Sequence, residues 1–193
     1  MSVIIKTGRF GQLTIGSEEI IQIPQGIMGF PEYTEFCLVD PGDETLILWL
    51  QSVRNPDIAF PVLEPKIFKP EYSTRLSAAE LRELKLENIS QSAVFSILTI
   101  PGDVMQMTAN LKAPLVINLK DQIARQVVLQ ENEYTIKHLM FKDLRQHLIT
   151  IAAQKRATSP GGSGDGLEDA APLVTPISIK NITPSLSVKS LQA

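Results

Sequence analysis

Two histidines, one cysteine and a few acidic pairs are the residues here able to move protons, attack a carbonyl or hold a metal. Their spacing organises none of these chemistries. His138 and His147 stand nine apart, which does not put them one or two turns apart on one helical face, and no His-x-x-x-His or Cys pair supplies ligand spacing. A Gly-x-Ser-x-Gly elbow is absent, and the nearest match, Gly162-Ser163-Gly164, has no strand before it. The same stretch fails as a phosphate loop, because Asp165-Gly166 stands where a Lys followed by Ser or Thr is needed. Glu18-Glu19, Asp43-Glu44 and Glu131 with Glu133 could do acid–base work in a cleft. They flank strand-like segments in turn positions, however, where carboxylates are normally solvated. No enzymatic activity, cofactor or metal is expected.

The residues that remain are amides and turn formers. Gln51-Ser52-Val53-Arg54-Asn55-Pro56-Asp57-Ile58 joins two apolar runs, Ile47 to Leu50 and Ile58 to Leu63. Pro56 fixes its own φ and disfavours helix at Asn55, and Asn and Asp side chains bond nearby backbone, so the segment reads as strand, turn, strand. Gln51, Asn55, Asp57, Asn110 and Asn118 sit at strand ends, where such groups either tie down turns or face a partner. Phe10, Phe30, Phe60 and Trp49 are assigned to the core, as aromatics within β runs usually are.

Short β-type runs recur about every ten residues to position these groups. They are Val3 to Lys6, Gln12 to Ile15, Ile20 to Ile23, Phe36 to Val39, the two runs above, Val94 to Ile100, Met105 to Ala109, Leu115 to Leu119 and Gln126 to Leu129. The connections carry Pro24-Gln25-Gly26, Pro41-Gly42-Asp43 and Pro101-Gly102-Asp103. This pattern predicts a mostly β protein, a single compact antiparallel barrel or sandwich-like domain with one or two short helices. One helix is expected after Ser77, which caps it with Glu80 three residues on. A second begins near Ile136 and spaces Leu139, Met140, Leu144, Leu148 and Ile151 along one face, either docked on the barrel or offered to a partner.

Residues 1–154 are assigned to the domain and 155–193 to a flexible linker and tail, since Thr158 to Gly166 is rich in Gly and Ser. The later prolines, Pro172 and Pro176, argue against an independent fold. A strand from Ile177 to Ile182 added to an open edge is the competing possibility.

Five stretches and the hairpin resemble one known family, the bacterial flagellar assembly factors called FliW. They are Thr7-Gly8-Arg9-Phe10-Gly11, Ile23-Pro24-Gln25-Gly26-Ile27-Met28-Gly29-Phe30, Pro70-Glu71-Tyr72, Asn110-Leu111-Lys112-Ala113-Pro114-Leu115-Val116-Ile117-Asn118 and Gln126-Val127. Their order spans about Val3 to His138. The resemblance implies a non-enzymatic cytoplasmic protein with two partners, flagellin and the dimeric RNA-binding translational regulator CsrA. Binding CsrA would stop it repressing flagellin mRNA, and accumulating flagellin would titrate the antagonist away. Gln51, Asn55, Pro56, Asp57, Asn110 and Pro114 are the candidate partner-binding residues.

Charge agrees with protein partners. Upstream of Lys155 stand fourteen basic and eighteen acidic residues, a balance that attracts basic proteins more than phosphate backbones. Arg75, Arg82 and Lys85 are interleaved with Glu80, Glu83 and Glu87 and form no single-sign patch for nucleic acid. One cysteine permits no internal disulfide, and no run approaches the roughly 20 apolar residues of a membrane span, so a cytoplasmic protein is expected. A small-ligand-binding barrel, an uncatalogued enzyme and a direct RNA-binding module are the alternatives, marked respectively by a deep pocket with perturbed titratable groups or by a basic face with exposed aromatics.

Overall fold

The computed structural model describes residues 2–42, 46–158 and 175–177. Seven strands close a barrel: β3 (Ile21–Gln22), β4 (Glu35–Asp40), β5 (Leu48–Ser52), β6 (Ala59–Leu63), β7 (Ser92–Thr99), β9 (Leu115–Asn118) and β10 (Ile123–Gln126). They pair in the order β7-β6-β5-β4-β3-β10-β9, and a β7–β9 ladder completes the ring. Every pairing is antiparallel except the short β3–β10 contact. A separate hairpin, β1 (Ser2–Thr7) with β2 (Gly11–Gly16), lies against the barrel. β8 (Thr108–Ala109) and β11 (His138–Leu139) extend the sheet from the end of β7.

Period-two alternation explains the layering. Phe36 and Leu38 of β4, Leu50 of β5, Val62 of β6, Phe95 of β7 and Leu115 and Ile117 of β9 belong to one buried cluster that fills the barrel. Their chain neighbours point outward: Cys37 and Val39 meet Ile5, Leu13 and Ile15 of the hairpin, while Leu63, Leu98 and Val116 join a third cluster under the segments 65–86 and 107–144. β4 therefore reads as an unbroken apolar run because both its faces are covered, and that burial pushes the Cys37 thiol up to about 12, aided by the Glu19 charge. The only cysteine is held as an inert thiol at neutral pH.

The expected first helix is α1 (Ala78–Glu83), with the Ser77 and Glu80 capping box in place. The second, α2 (Phe141–Thr158), starts five residues later than the apolar spacing suggested, because His138 and Leu139 pair with β8 as a strand. Met140 and Leu144 are buried in the outer cluster with Leu148 against it, so this face docks on its own core, whereas Leu139 points outward. Other corrections are local. The last barrel strand occupies Ile123–Gln126 rather than Gln126 to Leu129. Val104–Gln106 forms a 3-10 turn under an Asp103 cap, which shortens the strand expected there to two residues.

Within the stretch read as linker and tail, Thr175–Pro176 forms a strand, β12, antiparallel to the end of β4. Its start lies two residues before the alternative strand considered, and Ile177 is its last described residue. The linker residues Ser159 to Gly166 lie outside the described residues, as do Asp43-Glu44.

His138 links β11 to the 65–72 segment by stacking on Phe68, with ring centroids 6.1 Å apart. Burial, and secondarily the Lys69 ammonium, hold its pKa below the ordinary histidine value near 6.5, while Asp143 and Glu71 oppose the shift. The unfolded chain thus takes up the proton first as pH falls. The contribution of a neutral His138 is complete above about pH 6.5 and is lost progressively below it. Thermal midpoints taken at about pH 7.5 and about pH 5 are expected to fall further for the native chain than for His138→Gln, by about 2 °C.

Candidate partner-binding surface

Most of the distinctive sequence stretches are spent on the fold. Gln126, buried at the end of β10, donates from Nε2 to Ala113 O at 3.0 Å and accepts at Oε1 from the Met28 backbone N–H at 3.0 Å, tying three of them together. Tyr72 donates to Leu111 O at 2.8 Å, which fixes Pro70-Glu71-Tyr72 to the 110–118 segment. Gly26 has φ +64, and a side chain there would run into Phe30 O and Pro31. Asn110 accepts from the Ala113 N–H at 2.9 Å. Asn118 bonds the Leu84 and Lys85 carbonyls and the Lys120 and Asp121 amides. Both asparagines are turn fasteners. Pro114, also among the candidates, is buried at the start of the barrel strand it precedes.

Thr7-Gly8-Arg9-Phe10-Gly11 and the 53–57 turn behave differently, because they meet each other at the surface. Thr7 Oγ1 accepts from the Phe10 N–H at 2.8 Å and donates to Gly11 O at 3.0 Å, which shapes the hairpin turn. The Gly8 N–H then donates to Pro56 O at 2.8 Å. The approach is close: a Cβ on Gly8 would stand 3.3 Å from both Pro56 O and Asp57 Oδ1, so the turn would have to give by a few tenths of an ångström. Arg9 is exposed and lies over the Trp49 ring, its guanidinium carbon 3.9 Å from the centroid. Phe10 meets Trp49 edge-on at 6.1 Å. Gly8, Arg9, Trp49, Pro56, Asp57 and Ala59 line a shallow depression of about 460 Å³.

Gln51 holds this surface from below. It is fully buried, and its Nε2 faces the carbonyls of Ser52 (3.0 Å), Ile58 (3.1 Å), Asn55 (3.2 Å) and Pro56 (3.4 Å). Gln51, one of the candidate partner-binding residues, is thus placed beneath the turn it fixes and exposes no surface of its own. Asn55 is half-buried, donating to Tyr33 Oη at 2.9 Å and accepting from the Asp57 N–H at 3.0 Å. It too serves mainly as a turn fastener, which leaves Pro56 and the Asp57 carboxylate outward.

Sequence reasoning missed Arg9 and Trp49. Trp49, Phe10, Phe30 and Phe60, assigned to the core, do pack against buried clusters, but each remains half-buried. Phe60 packs on Phe30 and Phe36 near the barrel mouth, with centroids 5.2 and 6.2 Å away. The missed signal was alternation along β5: if Leu48 and Leu50 face the interior, Trp49 must face outward.

The family model described as FliW protein matches residues 4–140. The chain belongs to the FliW family. It is 40% identical over 159 residues to the flagellar assembly factor FliW of Bdellovibrio bacteriovorus, covering 81% of this chain and 91% of that relative. The counterpart in Alkaliphilus metalliredigens is 36% identical over 163 residues, covering 84% and 98%. A crystal structure of the flagellar assembly factor FliW superposes with a TM-score of 0.67 at 34% identity, covering 72% of this chain and 97% of that one. The family resemblance of the sequence and the mostly β barrel are thereby confirmed. Among the described residues no three His, Cys, Asp or Glu gather to hold a metal, and no helix is long and apolar enough to cross a membrane.

Proposed function

We propose that this flagellar assembly factor is a non-enzymatic cytoplasmic protein that acts by exchange of protein partners. It binds CsrA, keeping that regulator off flagellin mRNA, and it binds flagellin, which releases CsrA when unexported flagellin accumulates. The observation that carries a binding role is the junction of the hairpin turn with the 53–57 turn. There a buried glutamine and a short backbone hydrogen bond hold Arg9, Trp49, Pro56 and Asp57 on one stiff surface. Such pre-organisation lowers the ordering cost of association. The barrel interior, by contrast, is filled with side chains, which favours binding at the outside over enclosure of a ligand.

Membership of the family supports flagellar assembly, and the acidic balance of the body suits a basic, RNA-binding partner. The reading is tested by co-elution of the purified chain with CsrA and, separately, with flagellin on a sizing column. Both complexes are expected, and failure of both to form would refute it. Because opposite net charges would steer the CsrA encounter, its association rate is expected to fall about ten-fold between roughly 50 mM and 500 mM salt. Surface plasmon resonance measures this, and a rate independent of salt would remove the electrostatic part of the account.

A further inference from the structure

Strand β4 is enclosed on both faces yet incompletely paired by the barrel. Phe36, Cys37, Leu38 and Val39 are all at 0% exposure, and β5 pairs with one edge from Phe36 to Val39. On the other edge β3 reaches only Glu35 and Phe36. The positions beyond it are closed by the distant C-terminal segment, in which Thr175 pairs with Asp40 and Pro176 with Val39. The Ile177 N–H donates to Leu38 O at 2.9 Å, and the Ile177 side chain packs half-buried on the barrel interior. A strand edge inside an otherwise covered sheet is a standing template for another extended chain. Here the residues that fill it lie past the family match, which ends at 140, whereas the edge itself lies within it.

The seated segment defines the chemistry of what fits. Thr175-Pro176-Ile177 carries no charge. Pro176 stands opposite Val39 in the rung where neither residue bonds the other, so its missing N–H is on the outer side, and it caps the added strand. Ile177 supplies the apolar anchor. Val39 pairs in turn with Trp49, which puts Pro176, Val39 and Trp49 in one cross-strand row. The edge is thus continuous with the surface that holds Arg9.

We propose that the Leu38–Asp40 edge of β4 is a strand-addition site for an extended, uncharged segment of a protein partner with a β-branched side chain in the place of Ile177, and that Thr175–Ile177 is its built-in competitor. The backbone ladder gives such a contact its affinity, and the apolar surface under Ile177 its selectivity. Two registered pairs and one half-buried side chain are a weak hold, but attachment to the same chain raises the local concentration of the competitor to the order of millimolar. An incoming segment therefore binds well only when the internal strand is released. This inference does not depend on which proteins the family binds.

The test uses the full chain and a labelled synthetic peptide of residues 173–180. Fluorescence anisotropy compares the native chain with Ile177→Asp, and backbone amide shifts locate the peptide. Ile177→Asp is expected to bind it at least ten-fold more tightly than the native chain, with shifts centred on Leu38, Val39 and Asp40. Ile177→Ser, which removes the apolar anchor without adding charge, carries the same expectation should the aspartate variant misfold. Equal affinity for native and variant chains, no binding to either variant, or shifts centred elsewhere would overturn the proposal.

Discussion

Replacing Arg9 and Asp57 together by alanine is expected to leave the thermal midpoint within about 3 °C of the native chain while weakening the binding of CsrA or flagellin roughly ten-fold or more. Both residues are exposed, so little packing is lost. Arg9 gives up a cation–π contact with Trp49 worth about 0.5–1 kcal/mol at such a site, and the Asp57 backbone bond to Asn55 is untouched by the substitution. The two charges flank the depression whose floor includes Trp49 and Ala59. Arginine and tryptophan are the side chains that most often dominate interface energetics when they are enclosed. Isothermal titration with each partner reads the effect. Native affinity for both partners in the well-folded double variant would remove this surface from the account.

Gln51 should show the opposite signature, a loss of stability with binding lost as a consequence. In Gln51→Leu the turn carbonyls around Nε2 lose their buried donor, at a cost of about 2 kcal/mol. For a chain of this size that corresponds to a fall of about 4–8 °C in the midpoint. Gln51→Glu is expected to be worse, since a buried carboxylate would face the same carbonyl oxygens with nothing to donate. The Gln51 Oε1 has no hydrogen-bond partner among the described residues, so nothing near it compensates for that charge. A leucine variant as stable as the native chain would show that Nε2 is not what fastens the turn.

Much of the barrel is legible in the sequence because its signals are local. The Ser77-x-x-Glu80 cap is self-contained, and strands such as Phe36 to Val39 are apolar enough to declare themselves. What escaped depends on distant partners. β11 is two residues long and exists only because Thr108 and Ala109 offer it an edge. β12 carries a proline and follows a Gly-rich stretch, features that argue against a strand until the open edge of β4 is known.

The surface was half legible for a similar reason. The stiffness of Asn55-Pro56-Asp57 follows from residue type, and Pro56 and Asp57 do face outward. That the hairpin turn would donate from Gly8 to Pro56, and lay Arg9 across Trp49, is a contact across forty or more residues of sequence. No local pattern encodes it. The same limit explains why Gln51 and Pro114 read as outward-facing candidates: their polarity or turn chemistry is visible in the sequence, but the elements that cover them are not.

The account rests on one chain exchanging two partners, and a displacement titration tests this most directly. Labelled CsrA is bound to the purified protein, and monomeric flagellin is then added while the anisotropy of CsrA is followed. The account predicts that flagellin releases CsrA with a saturable midpoint, and that unlabelled CsrA at the same concentrations reverses the binding of labelled flagellin. A complex with CsrA that stays intact at flagellin concentrations saturating the free protein would contradict it.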